Sequence, residues 1–147
     1  MKKILTLLTV MLLGIGLGIA RDKVTTDTSV LPKSALELVN KHFSKVGVNH
    51  IKIDKNMVGH IDDYEVILNN GTELEFKSDG ALKSIDCGSK SIPDALVIKP
   101  IRDYVKKNFK GASIVGLEIE RNSYEVELST GLDLKFDRAG NFLKVDD

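Results

Sequence analysis

The clearest hydrophobic pattern in the chain lies in residues 64–77 (YEVILNNGTELEFK), where apolar and polar residues alternate on both sides of a turn. Alternation of this kind is typical of a β-strand with one buried face. Gly71 lies in the turn, where a backbone with positive φ is commonly required. The segment is therefore predicted to form a β-hairpin, and Leu82 and Ile85 after the next turn predict a third strand.

This pattern occurs twice. Residues 64–86 (YEVILNNGTELEFKSDGALKSID) align with residues 124–146 (YEVELSTGLDLKFDRAGNFLKVD), and nine of the 23 aligned positions are identical. A match of that length at a fixed offset indicates an internal repeat. The second copy is therefore predicted to form the same three-stranded meander, with Gly131 in the place of Gly71.

A helical pattern precedes each meander. The first begins near Pro32 and the second near Pro100, where proline is favoured at a helix start. Their apolar residues recur at spacings that fall on one helix face: Ala35, Leu36, Val39 and Phe43 in the first helix, and Ile101, Tyr104, Val105 and Phe109 in the second. Between helix and meander, one more strand is predicted from Val48, Ile51 and Ile53, and from Ile114, Leu117 and Ile119.

The predicted fold class is therefore α+β, with two tandem units that each consist of a helix and a four-stranded antiparallel sheet. The helices are expected on one sheet face, because an amphipathic helix over the apolar side of a sheet buries both elements. The units are assigned to residues 31–88 and 89–147. Each is small and the connection between them is short, so we expect them to share a core and fold as one cooperative body.

The first twenty residues have the form of a secretory signal. Lys2 and Lys3 precede an uncharged apolar run from Ile4 to Ile19, and cleavage is predicted after Ala20. The alternative is a retained membrane anchor, although a run of about 16 residues is shorter than the ~20 that span a bilayer. Residues 21–30 are polar and aperiodic, which predicts a flexible segment. The predicted product is periplasmic or secreted, without stable membrane insertion.

Charge and cysteine content narrow the function classes. Without Lys2 and Lys3, 19 of the 21 basic residues remain against 21 acidic ones. Nucleic-acid binders carry a basic surface instead, so nucleic acid is not an expected partner. Cys87 is the only cysteine, so no internal disulfide is possible. The thiol is interpreted as a small apolar core residue, and the alternative is a regulatory or intermolecular thiol.

No catalytic, cofactor or metal site is predicted. Cys87 has no companion motif and no phosphate-binding glycine loop occurs. The three histidines, His42, His50 and His60, have no tight metal-ligand spacing. Residues 137–141 could be interpreted as an oxygen-rich calcium loop, but they have too few alternating ligands and are predicted to form a plain turn.

Charged side chains on the predicted strands alternate with the core residues and so belong to the opposite face of each sheet. In the simplest interpretation they form a solvated surface. A sheet covered by helices on one side leaves the other side open, so the same residues could form a protein-binding surface. The hypothetical partner-binding set comprises Glu65, Glu73, Glu75, Glu125, Glu127, Asp133 and Lys135.

The doubled motif YEVxL, a glycine turn, LxF, a second glycine and a closing aspartate, each copy preceded by a helix with a late phenylalanine, resembles the PepSY-like family. The resemblance covers Leu31 to Asp146. It implies a small exported protein with a beta-lactamase-inhibitor-like fold, in which two units set their sheets side by side and the open sheet face receives the partner enzyme. One departure is about six extra residues between Phe43 and Tyr64, which predicts a longer or irregular loop at residues 54–61.

Two function classes remain open. In the first, the chain is a non-enzymatic exported binding module, an inhibitor or modulator of a peptidase or other cell-envelope enzyme, whose partner is another exported or cell-envelope protein. In the second, it binds a small ligand or a cell-envelope component in a groove between the two sheets.

Overall fold

A computed structural model of the chain describes residues 22–146. The predicted signal segment, its cleavage site and the alternative of a retained anchor lie outside the described residues. The strands are β1 (Lys23–Thr25), β2 (Val48–Lys55), β3 (Ile61–Leu68), β4 (Glu73–Lys77), β5 (Leu82–Asp86), β6 (Ile114–Ile119), β7 (Ser123–Leu128), β8 (Asp133–Asp137) and β9 (Phe142–Asp146). The helices are α1 (Lys33–Phe43) and α2 (Lys99–Asn108), and two single 3-10 turns cover Thr28–Val30 and Asp94–Leu96.

The predicted fold class of two tandem helix-plus-four-strand units is wrong. All nine strands form one antiparallel sheet in sequential order from β1 to β9. The two halves join where Ser84, Ile85 and Asp86 of β5 pair with β6. The last strand of the first repeat would otherwise leave its backbone donors and acceptors unpaired at a sheet edge, and pairing with β6 satisfies them. There is consequently no groove between two sheets, and the repeats share one continuous surface.

The buried face of the sheet is built on one transverse row of paired residues. Residues directly opposite each other on neighbouring strands point to the same side, so the register identifies the row. Its eight side chains from β2 to β9 are all apolar: Ile51, Val66, Leu74, Ile85, Leu117, Val126, Leu134 and Val145. The first seven are almost fully buried, whereas Val145 on the edge strand is 40% exposed. The core is therefore continuous across the junction between the repeats.

Both helices contribute to this core. Ala35, Val39 and Phe43 of α1, and Ile101 and Val105 of α2, are buried in the same cluster as the sheet residues. Of the late phenylalanines of the two helical patterns, Phe43 is buried, whereas Phe109 caps the end of α2 and is half-buried. In the second repeat a cluster of aromatic rings holds α2 against the sheet. The Tyr104 ring stacks on Phe142 at 4.7 Å between centroids and meets Phe136 edge-on at 5.4 Å.

The segment before α1 differs from the predicted flexible tether. Lys23, Val24 and Thr25 form an edge strand that pairs with β2, with Thr25 opposite Ile51. Three residues are too few for a periodic pattern, and an edge strand is held mainly by backbone hydrogen bonds that have no side-chain signature. The sequence therefore gives little sign of β1.

One turn glycine in each repeat contacts the start of that repeat's helix. Gly80 and Gly140 have φ values of 86° and 85°. A Cβ placed on Gly80 would lie 2.7 Å from Pro32 Cβ, and one on Gly140 would lie 2.7 Å from Pro100 Cβ. The close approach ties the meander of each repeat to its helix and requires a residue without a side chain.

Among the described residues, none of the helices has both the length and the apolar composition to cross a membrane.

Candidate functional site

The face of the sheet opposite the helices carries the seven residues of the predicted partner-binding set. Strand parity places them there, because each is next in sequence to a core residue, as Glu125 and Glu127 are to Val126. The continuous sheet brings the contributions of the two repeats onto one surface, which we call the outer face. On it most of the charged side chains fall into two neighbouring transverse rows.

The first of these, the mixed row, contains both signs of charge. Across the sheet from β2 to β9 it comprises Lys52, Glu65, Glu75, Ser84, Glu118, Glu125, Lys135 and Lys144. Glu65 and Glu75 lie directly opposite each other, and each has a lysine partner. Lys52 Nζ lies 3.5 Å from Glu65, and Lys83 Nζ lies 2.7 Å from Glu75. Most of the charge in the first half of this row is thus balanced locally.

Lys83 holds the two acidic strands of the first repeat together. Its ammonium group donates hydrogen bonds to Asp63 at 2.8 Å and to Glu75 at 2.7 Å. Burial alone would lower the pKa of Lys83, but these two hydrogen bonds outweigh burial and raise the pKa above its usual range. The Lys83 side chain on the outer face is therefore protonated and positively charged at neutral pH.

In the second half of the mixed row, Glu118 on β6 faces Glu125 on β7. Burial, and then the neighbouring carboxylates, raise the pKa of both groups; the largest of these charge effects come from Glu120 for Glu118 and from Asp146 for Glu125. Lys135 lies opposite Glu125, but its Nζ contacts Glu120 at 2.8 Å. That contact raises the pKa of Lys135 and lowers that of Glu120.

The second transverse row, which we call the acidic row, has no lysine or arginine in register between β2 and β9. It contains His50, Ile67 and Gly116, together with five carboxylates: Glu73, Asp86, Glu127, Asp133 and Asp146. Burial raises the pKa of Glu73, and the carboxylates of Glu65 and Asp86 add to the effect. The row therefore concentrates negative charge along one side of the outer face.

Asp133 is the most unusual member of the acidic row. Its side chain is on the outer face, between Glu127 and Asp146, and yet only 3% of the residue is exposed. Its Oδ1 atom is buried and has no hydrogen-bond partner. Burial, followed by the charge of Asp146, raises the pKa of Asp133. A buried carboxylate oxygen without a donor is costly, and such groups need an explanation in a native protein.

Cys87 and the turn at residues 137–141 are the other candidate sites in the sequence. Cys87 is buried, and burial raises the pKa of its thiol. Asp137 accepts backbone hydrogen bonds from Ala139 and Asn141, each at 2.9 Å, and so closes the turn that could have been interpreted as a calcium loop. In the part of the chain that the structure describes, no group of three or more acidic, histidine or cysteine side chains could hold a metal ion.

A cleft of about 360 Å³ lies on the helix side of the second repeat. Residues from α2, from the connection before it and from the start of β6 line it, among them Arg102, Lys106, Phe109 and Ile114. It is separate from the outer face.

Sequence parity identified seven residues of the outer face but missed others. Glu118, Asp86 and Asp146 were not included, although each is next to an apolar residue of the core row. The same alternation would have found them. Lys83 lies at an irregularity in the pairing of β4 and β5, where a bulge breaks the alternation, so parity alone could not place it.

Comparison with known proteins decides the family. The family model for beta-lactamase-inhibitor-like, PepSY-like proteins matches residues 62–144, a stretch that includes α2 and nearly all of both meanders. This chain belongs to the PepSY-like family. None of the curated proteins compared with it matches.

Several solved structures have the same PepSY-like architecture. A protein of unknown function from Bacteroides vulgatus, described as periplasmic, is 42% identical, with 86% of this chain and 100% of that chain covered and a TM-score of 0.81. A protein from Bacteroides thetaiotaomicron, described as periplasmic and calcium-regulated, is 32% identical over 86% of this chain and 97% of its own, with a TM-score of 0.79. A second Bacteroides vulgatus protein, also described as periplasmic, is 31% identical over 88% of this chain and 100% of its own, also with a TM-score of 0.79.

Proposed function

We propose that this chain is an exported, non-enzymatic binding module whose outer face binds another exported or cell-envelope protein, and that it acts as an inhibitor or modulator of a peptidase or other cell-envelope enzyme. The observation that carries the proposal is Asp133. This carboxylate is buried, lacks a partner for Oδ1 and lies within the acidic row. Residues that reduce folding stability in this way are expected at functional sites.

The charge distribution indicates what kind of partner surface fits. In the acidic row, Glu73 and Asp86 lie side by side and, beyond Gly116, Glu127, Asp133 and Asp146 follow one another, with no lysine or arginine in register. Of these carboxylates, Asp146 is paired with Lys144 at 2.6 Å. A partner that presents lysine or arginine side chains there would relieve the repulsion between neighbouring carboxylates. Charge complementarity of this kind raises association rates and fixes the orientation of a complex.

Two further observations support the setting and the class of function. The solved relatives are described as periplasmic proteins, in agreement with the apolar amino-terminal segment of this sequence. The chain also belongs to a family described as beta-lactamase-inhibitor-like. Both support a binding role outside the cytoplasm.

Binding of a small ligand between two sheets is less favoured, because β5 and β6 are hydrogen-bonded where that groove was expected. Among the described residues, the cleft beside α2 is a place where a small ligand would be sought instead.

The test of the proposal reverses charge on the outer face. A partner is first isolated from periplasmic extract with the wild-type chain and then purified. Glu125→Lys combined with Glu127→Lys is expected to weaken its binding and to reduce the salt dependence of the affinity. The melting temperature should change little, since both side chains are half-exposed and surface charges contribute about 0–1 kcal/mol to folding.

The matched control is Glu37→Lys on the exposed side of α1, where the side chain is 68% exposed and pairs only with Lys33 of the same helix. It reverses one charge on the opposite side of the molecule, half the change that the double variant makes, and should leave the affinity unchanged. If the double variant binds as tightly as wild type with the same salt dependence, the outer face is not the binding surface.

A further inference from the structure

We infer that the hairpin between β2 and β3 is a second interaction surface, and that its apolar tip inserts into an apolar cleft of a partner protein. The tip consists of Met57 and Val58, which are 98% and 76% exposed. Single exposed apolar residues are common on protein surfaces, but two adjacent ones at the end of a projecting hairpin form a convex apolar feature. This surface differs from the outer face, so the inference does not rest on the proposed function.

The second repeat has a hairpin at the equivalent position, between β6 and β7. Comparing the two hairpins shows which residues the fold requires and which the first hairpin adds. Ile53 lies opposite Tyr64 in the first repeat, and Ile119 lies opposite Tyr124 in the second. Ten residues connect the first pair and four connect the second. The extra six residues extend the first hairpin by about 10 Å at roughly 3.3 Å per residue on each strand.

The shorter hairpin shows that the repeat folds without this extension. Its tip is polar, with exposed Arg121 and Asn122, and it is closed by a backbone hydrogen bond from Glu120 to Ser123. The longer hairpin therefore adds exposed apolar surface that the architecture does not require. Exposed apolar area of this kind promotes aggregation unless it has a use, so its presence indicates a binding role.

The tip is held in one conformation by Asn56. Of the longer or irregular loop predicted at residues 54–61, the structure has the longer form, as an ordered hairpin. The Asn56 side-chain oxygen accepts hydrogen bonds from the backbone N–H of Val58 at 3.1 Å and of His60 at 3.0 Å. Two backbone bonds, from Asn56 N–H to His60 and from Gly59 N–H to Asn56, close the same turn. A preordered tip loses little conformational entropy on binding, which favours affinity.

The chemistry around the tip favours a protein cleft over a lipid surface. Proteins that bind anionic membranes combine apolar residues with a cluster of lysines and arginines. Here the residues that flank the tip are of mixed sign: Lys55 on one side, Asp62 and Asp63 on the other, with Asp54 paired to Lys52 at 3.1 Å. A small, rigid, convex apolar tip is instead complementary to an apolar pocket of a second protein.

The inference is tested with the photoreactive residue p-benzoylphenylalanine, introduced at Val58 of the full chain and, as the matched control, at Arg121 on the tip of the short hairpin. After illumination in the cell envelope, position 58 is expected to give one protein adduct whose mapped contact site is an apolar cleft, and position 121 is expected not to give it. Adducts to lipid only, to a second copy of this chain only, or to no molecule at all would overturn the inference.

Affinity measurements with the purified adduct partner complete the test. Met57→Ser combined with Val58→Ser should weaken binding by about tenfold to hundredfold, because the contribution of two buried apolar side chains is lost. Arg121→Ser combined with Asn122→Ser should leave affinity unchanged. The melting temperatures of both variants should equal that of wild type, since these side chains contact little of the core, and unchanged affinity of the Met57 and Val58 variant would refute the inference.

The two proposals fail independently. If the adduct forms at position 58 and is unaffected by Glu125→Lys with Glu127→Lys, the tip binds a partner and the outer face does not bind that partner. If charge reversal weakens binding but the serine variant of the tip does not, the outer face stands and the tip inference is wrong.

Discussion

Ile85 on β5 and Leu117 on β6 lie directly opposite each other, and this pair joins the two repeats within one sheet. Both residues are at least 98% buried. The contact lies in the middle of the core row, so neither repeat has a complete core in the absence of the other.

Leu117→Ala is therefore expected to destabilise the whole chain, by about 2–5 kcal/mol, because it leaves a cavity in the shared core. Chemical denaturation followed by circular dichroism, together with amide hydrogen exchange, should show one transition in which both repeats unfold. Leu143→Ala serves as the control, since Leu143 is 54% exposed and its truncation should have a small effect. Two separate transitions in the Leu117 variant would show that the repeats are independent.

The second prediction concerns Asp133. Burial and the Asp146 carboxylate raise the pKa of Asp133 in the folded chain above its value in the unfolded chain, so the folded state binds more protons. The contribution of Asp133 to the free energy of unfolding is therefore greatest at low pH. It falls as the pH rises from the pKa of Asp133 in the unfolded chain through its pKa in the folded chain. Asp133→Asn should stabilise the protein at pH 7 by about 1–3 kcal/mol, and the gain should shrink toward about pH 4, near the pKa of an unperturbed aspartate.

Asp137, at the other end of β8, is the opposite case and provides the control. Hydrogen bonds from the side chain and backbone of Asn141 lower the pKa of Asp137, so its contribution is present above the unfolded pKa and is lost as the pH falls. Asp137→Asn should lower the melting temperature at pH 7. Urea titrations of the two variants at pH 4 and pH 7 distinguish these signs, and a less stable Asp133→Asn variant at pH 7 would show that the carboxylate has a partner within the folded chain.

The third prediction uses two turn glycines of the second repeat. Gly140 and Gly131 have nearly equal φ values, 85° and 83°, but an added Cβ would meet Pro100 at 2.7 Å in one case and open space in the other. Gly140→Ala should thus lower the free energy of unfolding by about 1 kcal/mol or more beyond the loss caused by Gly131→Ala. Both substitutions strain the backbone, but only Gly140→Ala also displaces the start of α2. The melting temperatures of the two variants are compared. Equal decreases would mean that the close contact between Gly140 and Pro100 does not contribute to stability.

Local patterns identified both helices and every strand of this fold except β1. Val126 is fully buried while Glu125 and Glu127 are half-exposed, as strict alternation predicts, because one buried sheet face selects one parity of side chains. Pro32 and Pro100 likewise stand at the starts of α1 and α2, where proline's missing N–H has no helical partner to lose.

The arrangement between elements could not be predicted in the same way. The pairing of Ile85 with Leu117 depends on backbone hydrogen bonds between two strands, and the sequence pattern of an edge strand does not differ from that of a central one when both have one open face. The burial of Asp133 is also invisible to alternation, which places its side chain on the outer face but does not indicate how much of it is covered.

The strictly sequential order of the nine strands has a consequence for how the chain acquires its structure. Each strand pairs with the one made just before it. Six of the eight steps of sheet growth close a loop of three to five residues, while the β1–β2 and β5–β6 steps span a helix, and low sequence separation of contacts favours rapid folding. A polypeptide that leaves an export channel amino end first can extend the sheet one strand at a time as it emerges. We expect such a chain to spend little time unfolded, and so open to proteases, on the far side of the membrane.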